Sequence, residues 1–168
     1  NTEGGNPYIG SGQLDGNGIP PDFFSDVHIR RAFNYCFDFE SFLSDVLLGE
    51  ATRSLGVMLP GMLGYPEDET FTYTYDLAKC EEEFKASEWV DENGTHVWDL
   101  GFRFTAQYNT GNDQRQSIAQ ILQAGISAVN EKFIVEVTGL PWPAYLAGIR
   151  ASQFPVFIIG WGSDYYDT

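Results

Sequence analysis

The stretch "FPVFIIGWGSDYYDT" (residues 154–168) decides how this chain is read. Phe154 to Ile159 form an unbroken apolar run. Gly160 and Trp161 follow, then a carboxylate at Asp164. A continuous apolar run of this length, bounded by Gly, is the pattern of a strand buried on both faces of a parallel sheet. The same run ends by presenting an indole and an acid together, which asks what lies beyond the strand.

Upstream, two further strands alternate with helices. In Leu100–Tyr108, apolar Leu100, Phe102, Phe104, Ala106 and Tyr108 alternate with Gly101, Arg103, Thr105 and Gln107, the period-two pattern of a strand. Asn112 or Asp113 caps the next helix, whose apolar stripe is Ile118, Ile121, Leu122, Gly125, Ile126 and Val129. "KFIVEVT" (132–138) is the second strand. "WPAYLAGIRAS" (142–152) is a short helix opened by Pro141 and Pro143. Strand, helix, strand, helix, strand predicts right-handed crossovers and a mostly parallel sheet flanked by helices, an α/β fold. Ligands of such sheets sit beyond the carboxyl ends of the strands. That rim holds Asn109 and Thr110, Gly139 and Leu140, and above all Trp161 to Tyr165. An aromatic wall beside a carboxylate suits a ligand group that is apolar on one side and cationic on the other. The alternative from spacing alone is that Trp161 is core and Asp164 caps a turn.

The amino-terminal third reads as helices. Ser25 caps a first helix with Asp26 in its first turn, and Ile29, Ala32, Phe33, Cys36 and Phe37 form its apolar stripe. Asp38 caps a second helix with Phe39, Phe42, Leu43, Val46 and Leu47 inward and Gly49 at its end. Both stripes are expected to be core. From Arg53 to Tyr75 the periodicity fails, and Pro60, Gly61, Gly64 and Pro66 mark a long loop that covers another element. Asp76 starts a third helix with Leu77, Cys80 and Phe84 inward. "DENGTH" (91–96) is a turn, and Asn93-Gly-Thr95 fits a glycosylation sequon that matters in a eukaryotic secretory host.

Composition sets the limits. The 168 residues allow one α/β domain with a core. The formal net charge is -15, with 9 Lys and Arg scattered against 24 Asp and Glu. That disfavours nucleic acid as a partner, because phosphate backbones need basic clusters. The acidity reads as a well-solvated surface, or as attraction for cationic ligands. Two distant Cys and two distant His (His28, His96) build no zinc site, and no cofactor motif is present. No GxSxG elbow supports a nucleophilic triad, and no catalytic residue is assigned. On residue pattern alone, Cys36 and Cys80 are buried thiols on helix faces, with a disulfide as the second reading in an oxidising compartment. The chain begins at Asn1 with no initiator Met, so it reads as a processed or excised piece.

Several segments together resemble one family. "SDVHIRRAFNYCFDFESFLSDVLLGEA" (25–51) is similar to the D-x-x-x-R-x-A-x-x-x-x-x-D segment of the extracellular solute-binding proteins of peptide-type ABC transporters, the dipeptide/oligopeptide-binding proteins of solute-binding family 5. "LPGMLGY" (59–65), "YTYDLAKCEEEFKAS" (73–87) and "YLAGIRASQFPVFIIGWGSDYYD" (145–167) follow in that family's order. Two positions depart from it: Asp167-Thr168 stands where Asp-Pro is usual, and Cys36-Phe37 where a small residue precedes the acid.

The resemblance implies a periplasmic-binding-protein type II-like lobe of a bilobed protein that closes on its ligand. Residues 1–24 would be an extended connector entering the lobe, and residues 25–168 the lobe itself, with the partner lobe outside this sequence. It implies an extracytoplasmic substrate-binding component of a peptide-type ABC importer, periplasmic or extracellular and membrane-anchored as a lipoprotein in the full-length protein. Its partners would be peptides or other small solutes and the permease subunits. Through the motif "GW-x-x-D", it makes Asp164 the group that holds the ligand's amine, with Gly160, Trp161 and Tyr165 lining the pocket. It makes Arg30 and Asp38 structural, and it raises the disulfide reading of Cys36 and Cys80. The rivals are the same family binding an oligosaccharide or a nickel complex, and an α/β hydrolase-type enzyme with a carboxylate pair in the rim.

Overall fold

A computed structural model describes residues 5–56, 60–65 and 72–160. Helix α1 spans Val27–Tyr35, and α2 is a single turn, Phe39–Ser41. Then come α3 (Leu77–Ala86), α4 (Val97–Leu100), strand β1 (Phe102–Asn109), α5 (Asp113–Val129), β2 (Phe133–Leu140), α6 (Trp142–Arg150) and β3 (Val156–Phe157). The strands lie in the order β2-β1-β3, all parallel. Phe102 pairs with Phe133 and the register runs unbroken to Asn109 opposite Leu140. Right-handed crossovers in this order put α5 and α6 on opposite faces of the sheet. The α/β architecture with a parallel sheet flanked by helices is therefore the one that the alternation of periods predicts.

One face of the sheet carries an aromatic core. Phe102 stacks on Phe133 at 4.5 Å, Phe84 of α3 meets Phe133 at 4.5 Å, and Phe33 of α1 lies 5.9 Å from Phe104. Ile29, Ala32 and Phe33 of the predicted first stripe are buried here with Ile126 of α5. The amino-terminal segment joins the same core through Ile9, Leu14, Ile19 and Phe23. The Tyr8 carbonyl accepts from the Thr105 N–H at 2.8 Å, beside the position where β3 pairs with β1. Gly125 lets α5 dock on the end of α1, since a Cβ there would strike the Cys36 carbonyl.

Four expectations need correction. The cap of α1 is Asp26 and not Ser25: the Asp26 carboxylate accepts from the His28 N–H at 2.7 Å, while Ser25 closes a 3-10 turn, Phe23–Ser25. Between the two candidates for α5, Asn112 is the cap and Asp113 lies in the first turn. The second helix begins at the Asp38 cap as expected, but widens at once into a π turn over Phe42–Val46, with Leu47 N–H donating to Phe42 O. Its apolar stripe is half-buried, and Phe39, Phe42, Leu43 and Leu47 of it line a groove of about 590 Å³ with Phe37, Arg53 and Tyr73, so it is not core. The Arg53 guanidinium lies 3.6 Å from the Phe39 ring centroid and donates to the Tyr73 carbonyl.

The third correction concerns the last strand, and the fourth the cysteines. Pairing covers only Val156 and Phe157, and Phe157 and Ile159 are 41% and 40% exposed. Among the described residues β3 pairs with β1 alone, and its run buries Phe154 and Ile158 while Phe157 and Ile159 are exposed, so it is not buried on both faces. Phe154 packs instead on Tyr145 and Tyr8. Cys36 and Cys80 are joined in a disulfide, with Cα atoms 5.5 Å apart and both residues fully buried. The free-thiol reading from residue pattern is thereby replaced. The bridge ties the end of α1 to α3, beside the Asp76 N–H bond to Tyr35 O.

Candidate ligand site at the carboxyl edge of the sheet

The three strands end together. β1 delivers Asn109 and Thr110, β2 delivers Gly139 and Leu140, and β3 runs through Ile158 and Ile159 into Gly160. The Thr110 N–H donates to the Leu140 carbonyl at 2.8 Å, which clamps the first two ends. Gly139 leaves room for the Tyr108 ring, because a Cβ there would lie 2.8 Å from Tyr108 Cζ. Tyr145 of α6 is buried and donates from its hydroxyl to the Ile158 carbonyl at 2.5 Å, fixing the chain after β3. Burial pushes the Tyr145 phenol above its ordinary value, against the opposing pull of the nearby Arg115 charge.

Arg115 links all three ends. It stands in the first turn of α5, whose start is fixed by the Asn112 side chain accepting from the Arg115 N–H at 2.9 Å. Its guanidinium Nη1 donates to Asn109 Oδ1 at 2.5 Å and lies 5.9 Å from the Trp142 ring centroid. Nη2 is close enough to Gly160 that a Cβ there would come within 3.3 Å. The hydrophobic pattern of α5 does not mark this residue. The available signal was its place three residues after a helix cap that directly follows a strand.

The expected rim residues Asn109, Thr110, Gly139 and Leu140 are thus brought together, and Gly160 is exposed beside them. Trp161, Asp164 and Tyr165 lie outside the described residues. Behind the rim, Gln107 is fully buried and neither its amide nitrogen nor its oxygen has a hydrogen-bond partner. Both imidazoles are engaged elsewhere. His28 Nδ1 pairs with Glu83 at 2.7 Å, and His96 caps α4 while its Nε2 meets the Ser87 carbonyl. No helix among the described residues is long and apolar enough to cross a membrane.

The chain is similar to proteins of known kind. It is 26% identical over 156 residues to the oligopeptide-binding protein AppA of Bacillus subtilis, covering 87% of this chain and 28% of that one. The solved AppA, in complex with a nonapeptide, superposes with a TM-score of 0.60 at 25% identity, over 75% of this chain and 25% of AppA. NikZ from Campylobacter jejuni, solved with Ni(L-His), gives a TM-score of 0.66 at 25% identity, over 85% of this chain and 28% of NikZ. The chain therefore spans about a quarter of the length of these relatives. The profile of the bacterial extracellular solute-binding proteins, family 5 middle region, matches residues 6–168. With nearly its whole length matched, and with a parallel sheet that opens at its carboxyl edge, the chain belongs to the bacterial extracellular solute-binding proteins of family 5.

Proposed function

We propose that this chain is one lobe of the substrate-binding component of a peptide-type ABC importer, and that it holds peptides against the carboxyl edge of its sheet. The observation that carries this reading is local. Gly160, the first residue of the motif "GW-x-x-D", leaves β3 at the rim formed by Asn109, Thr110 and Leu140. Two relatives named as oligopeptide-binding proteins support the ligand class: AppA, and OppA of Bacillus subtilis at 24% identity. In this reading Asp164 takes the peptide's α-amino group through a charge-assisted hydrogen bond, and Trp161 and Tyr165 form the apolar wall that excludes water around it. The second lobe closes over the ligand by a hinge motion, which makes the affinity of either lobe alone low. The full-length protein works outside the cytoplasmic membrane, lipid-anchored, and hands its ligand to the permease subunits.

The test is calorimetric titration of the full-length protein with a free-amine peptide. Asp164→Ala is expected to weaken binding at least tenfold, on the order of the 1.5–3 kcal/mol of a hydrogen bond to a charged group. Unchanged affinity removes Asp164 from the site. A second reading keeps the family and changes the ligand to a nickel complex or an oligosaccharide. The likeness to NikZ favours the nickel complex. A thermal-shift screen of peptides, Ni(L-His) and oligosaccharides separates these readings.

A further inference from the structure

Before β1, at the end of the sheet away from the ligand edge, the chain makes a tight turn, Asp91-Glu92-Asn93-Gly94-Thr95. The Asp91 N–H donates to the Thr95 carbonyl at 2.9 Å, and the Gly94 N–H to the Asp91 carbonyl at 3.1 Å. Inside the turn, Asp91 Oδ1 accepts from the Asn93 N–H at 2.9 Å and from the Thr95 N–H at 2.6 Å. Gly94 has a φ of +82°, the left-handed conformation that glycine adopts without strain. Glu92, Asn93, Gly94 and Thr95 are all exposed. The Asn93 side-chain nitrogen meets Asp91 Oδ2 at a long 3.4 Å. Beside the turn lies a crevice of about 430 Å³, lined by Gln13, Leu14 and Asp15, by Trp89 and by Asn93 itself. An aromatic ring among amides and carboxylates suits a sugar, which is apolar on its ring face and hydroxylated at its edge.

We propose that Asn93 is the acceptor of an N-linked oligosaccharide. Asn93-Gly94-Thr95 has the N-x-S/T spacing, with no proline between. The structure adds what spacing alone lacks, an exposed turn and a crevice with room for the first sugar. In the transfer, the Asn93 side-chain nitrogen bonds to the anomeric carbon of a lipid-pyrophosphate-linked oligosaccharide. The anomeric C–O bond breaks, its electron pair leaves with the lipid pyrophosphate, and one amide proton passes to a base of the transferring enzyme. The family is bacterial, but the reaction needs only an exported asparagine, a membrane enzyme and a lipid-borne sugar. Asp91 also sets a carboxylate before the acceptor, a charge that a basic groove on that enzyme can grip. The buried Cys36–Cys80 disulfide is the mark of an oxidising compartment, the side of the membrane to which such sugars are delivered. α4 (Val97–Leu100) leads from the turn into β1, whose eight residues, roughly 25 Å, separate the turn from the ligand edge. A glycan on Asn93 therefore leaves that edge open. The inference needs the chain to work outside the cytoplasm and is independent of the ligand it carries.

The experiment uses the full-length protein, purified from the cells that make it. Trypsin cleaves after Lys85 and Arg103 and releases residues 86–103, which hold Asn93. Tandem mass spectrometry of that peptide is expected to show an added oligosaccharide mass on Asn93, with sugar fragment ions. Asn93→Gln and Thr95→Ala, produced in the same cells, are expected to lose this mass, and Thr95→Ser to keep it. A wild-type peptide that is bare, or in which Asn93 is converted only to aspartate, overturns the inference. A sugar that persists in Asn93→Gln also overturns it, because the sugar then sits on another residue. If Asn93→Gln and Thr95→Ala both fail to accumulate, the wild-type fragment ions decide, since they place the sugar on a residue without any substitution. None of these outcomes bears on the peptide reading, which the Asp164→Ala titration tests separately.

Discussion

At the scale of single residues, Asp26 holds two helices together with one carboxylate. Its Oδ1 caps α1 through the His28 N–H at 2.7 Å, and its Oδ2 accepts from the Ser87 hydroxyl at 2.7 Å and the Glu88 N–H at 3.1 Å. One carboxylate thus joins the start of α1 to the end of α3. Burial alone pushes its carboxyl up, but the Ser87 hydroxyl, the two backbone N–H groups and the His28 charge together hold it below the ordinary aspartate value. A carboxyl whose folded-state value is lowered contributes stability above its unfolded value, and that stability is lost as pH falls through the folded one. The contribution is therefore constant at neutral pH and disappears below about pH 4. Asp26→Ala is expected to cost about 1–2 kcal/mol at pH 7, with the gap to wild type narrowing as the pH drops below about 4. Urea denaturation at a series of pH values checks both; a gap that stays constant to pH 3 would show that the charge of Asp26 is irrelevant. Gln107 is the opposite case at this scale, a buried amide that bonds to nothing and so costs the fold free energy.

Among the elements, the pair α1 and α3 is the junction that the disulfide fastens. Cys36 and Cys80 are 44 residues apart in sequence. Closing a loop of that length in the unfolded chain is worth about 4 kcal/mol by loop entropy. Cys36→Ala with Cys80→Ala, or full reduction, is expected to lower unfolding free energy by roughly 3–4 kcal/mol, read from denaturation with and without reductant. A loss under about 1 kcal/mol would mean that the unfolded chain is already constrained there. This bridge also shows what the sequence could not disclose. The stripe Ile29, Ala32, Phe33 and the strand alternation Phe102, Phe104 were legible because burial there follows the period of the element itself. The Cys pairing depends on how α1 meets α3, which no local period records. The run 154–161 looked doubly buried because apolar composition reports the tendency to be covered, not what lies over each face; Phe157 and Ile159 are exposed. The stripe after Asp38 was sound as a pattern, but its helix passes into a π turn and the stripe is half-buried along a groove instead of in the core. At the rim, strand ends were predictable from topology, whereas Arg115 was not, since its importance comes from Asn109, Trp142 and Gly160 converging from three separate elements.

For the molecule as a whole, the dominant electrostatic fact is self-repulsion. The formal net charge is -15 and the sequence pI about 4.2. The described ion pairs of lysine and arginine are all at the surface, with both side chains a third or more exposed, and pairs of that kind contribute about 0–1 kcal/mol each. They cannot offset an excess of 15 negative charges spread over one domain. Screening length falls from about 10 Å at 0.1 M salt to about 3 Å at 1 M, so added salt removes the long-range repulsion and leaves close contacts less affected. The melting temperature of this chain should therefore rise with sodium chloride, by roughly 2–4 °C for each kcal/mol of repulsion relieved. Chloride is the informative anion, because sulfate would also strengthen burial by exclusion from the surface. A melting temperature that falls with chloride would show that the surface pairs outweigh the net charge.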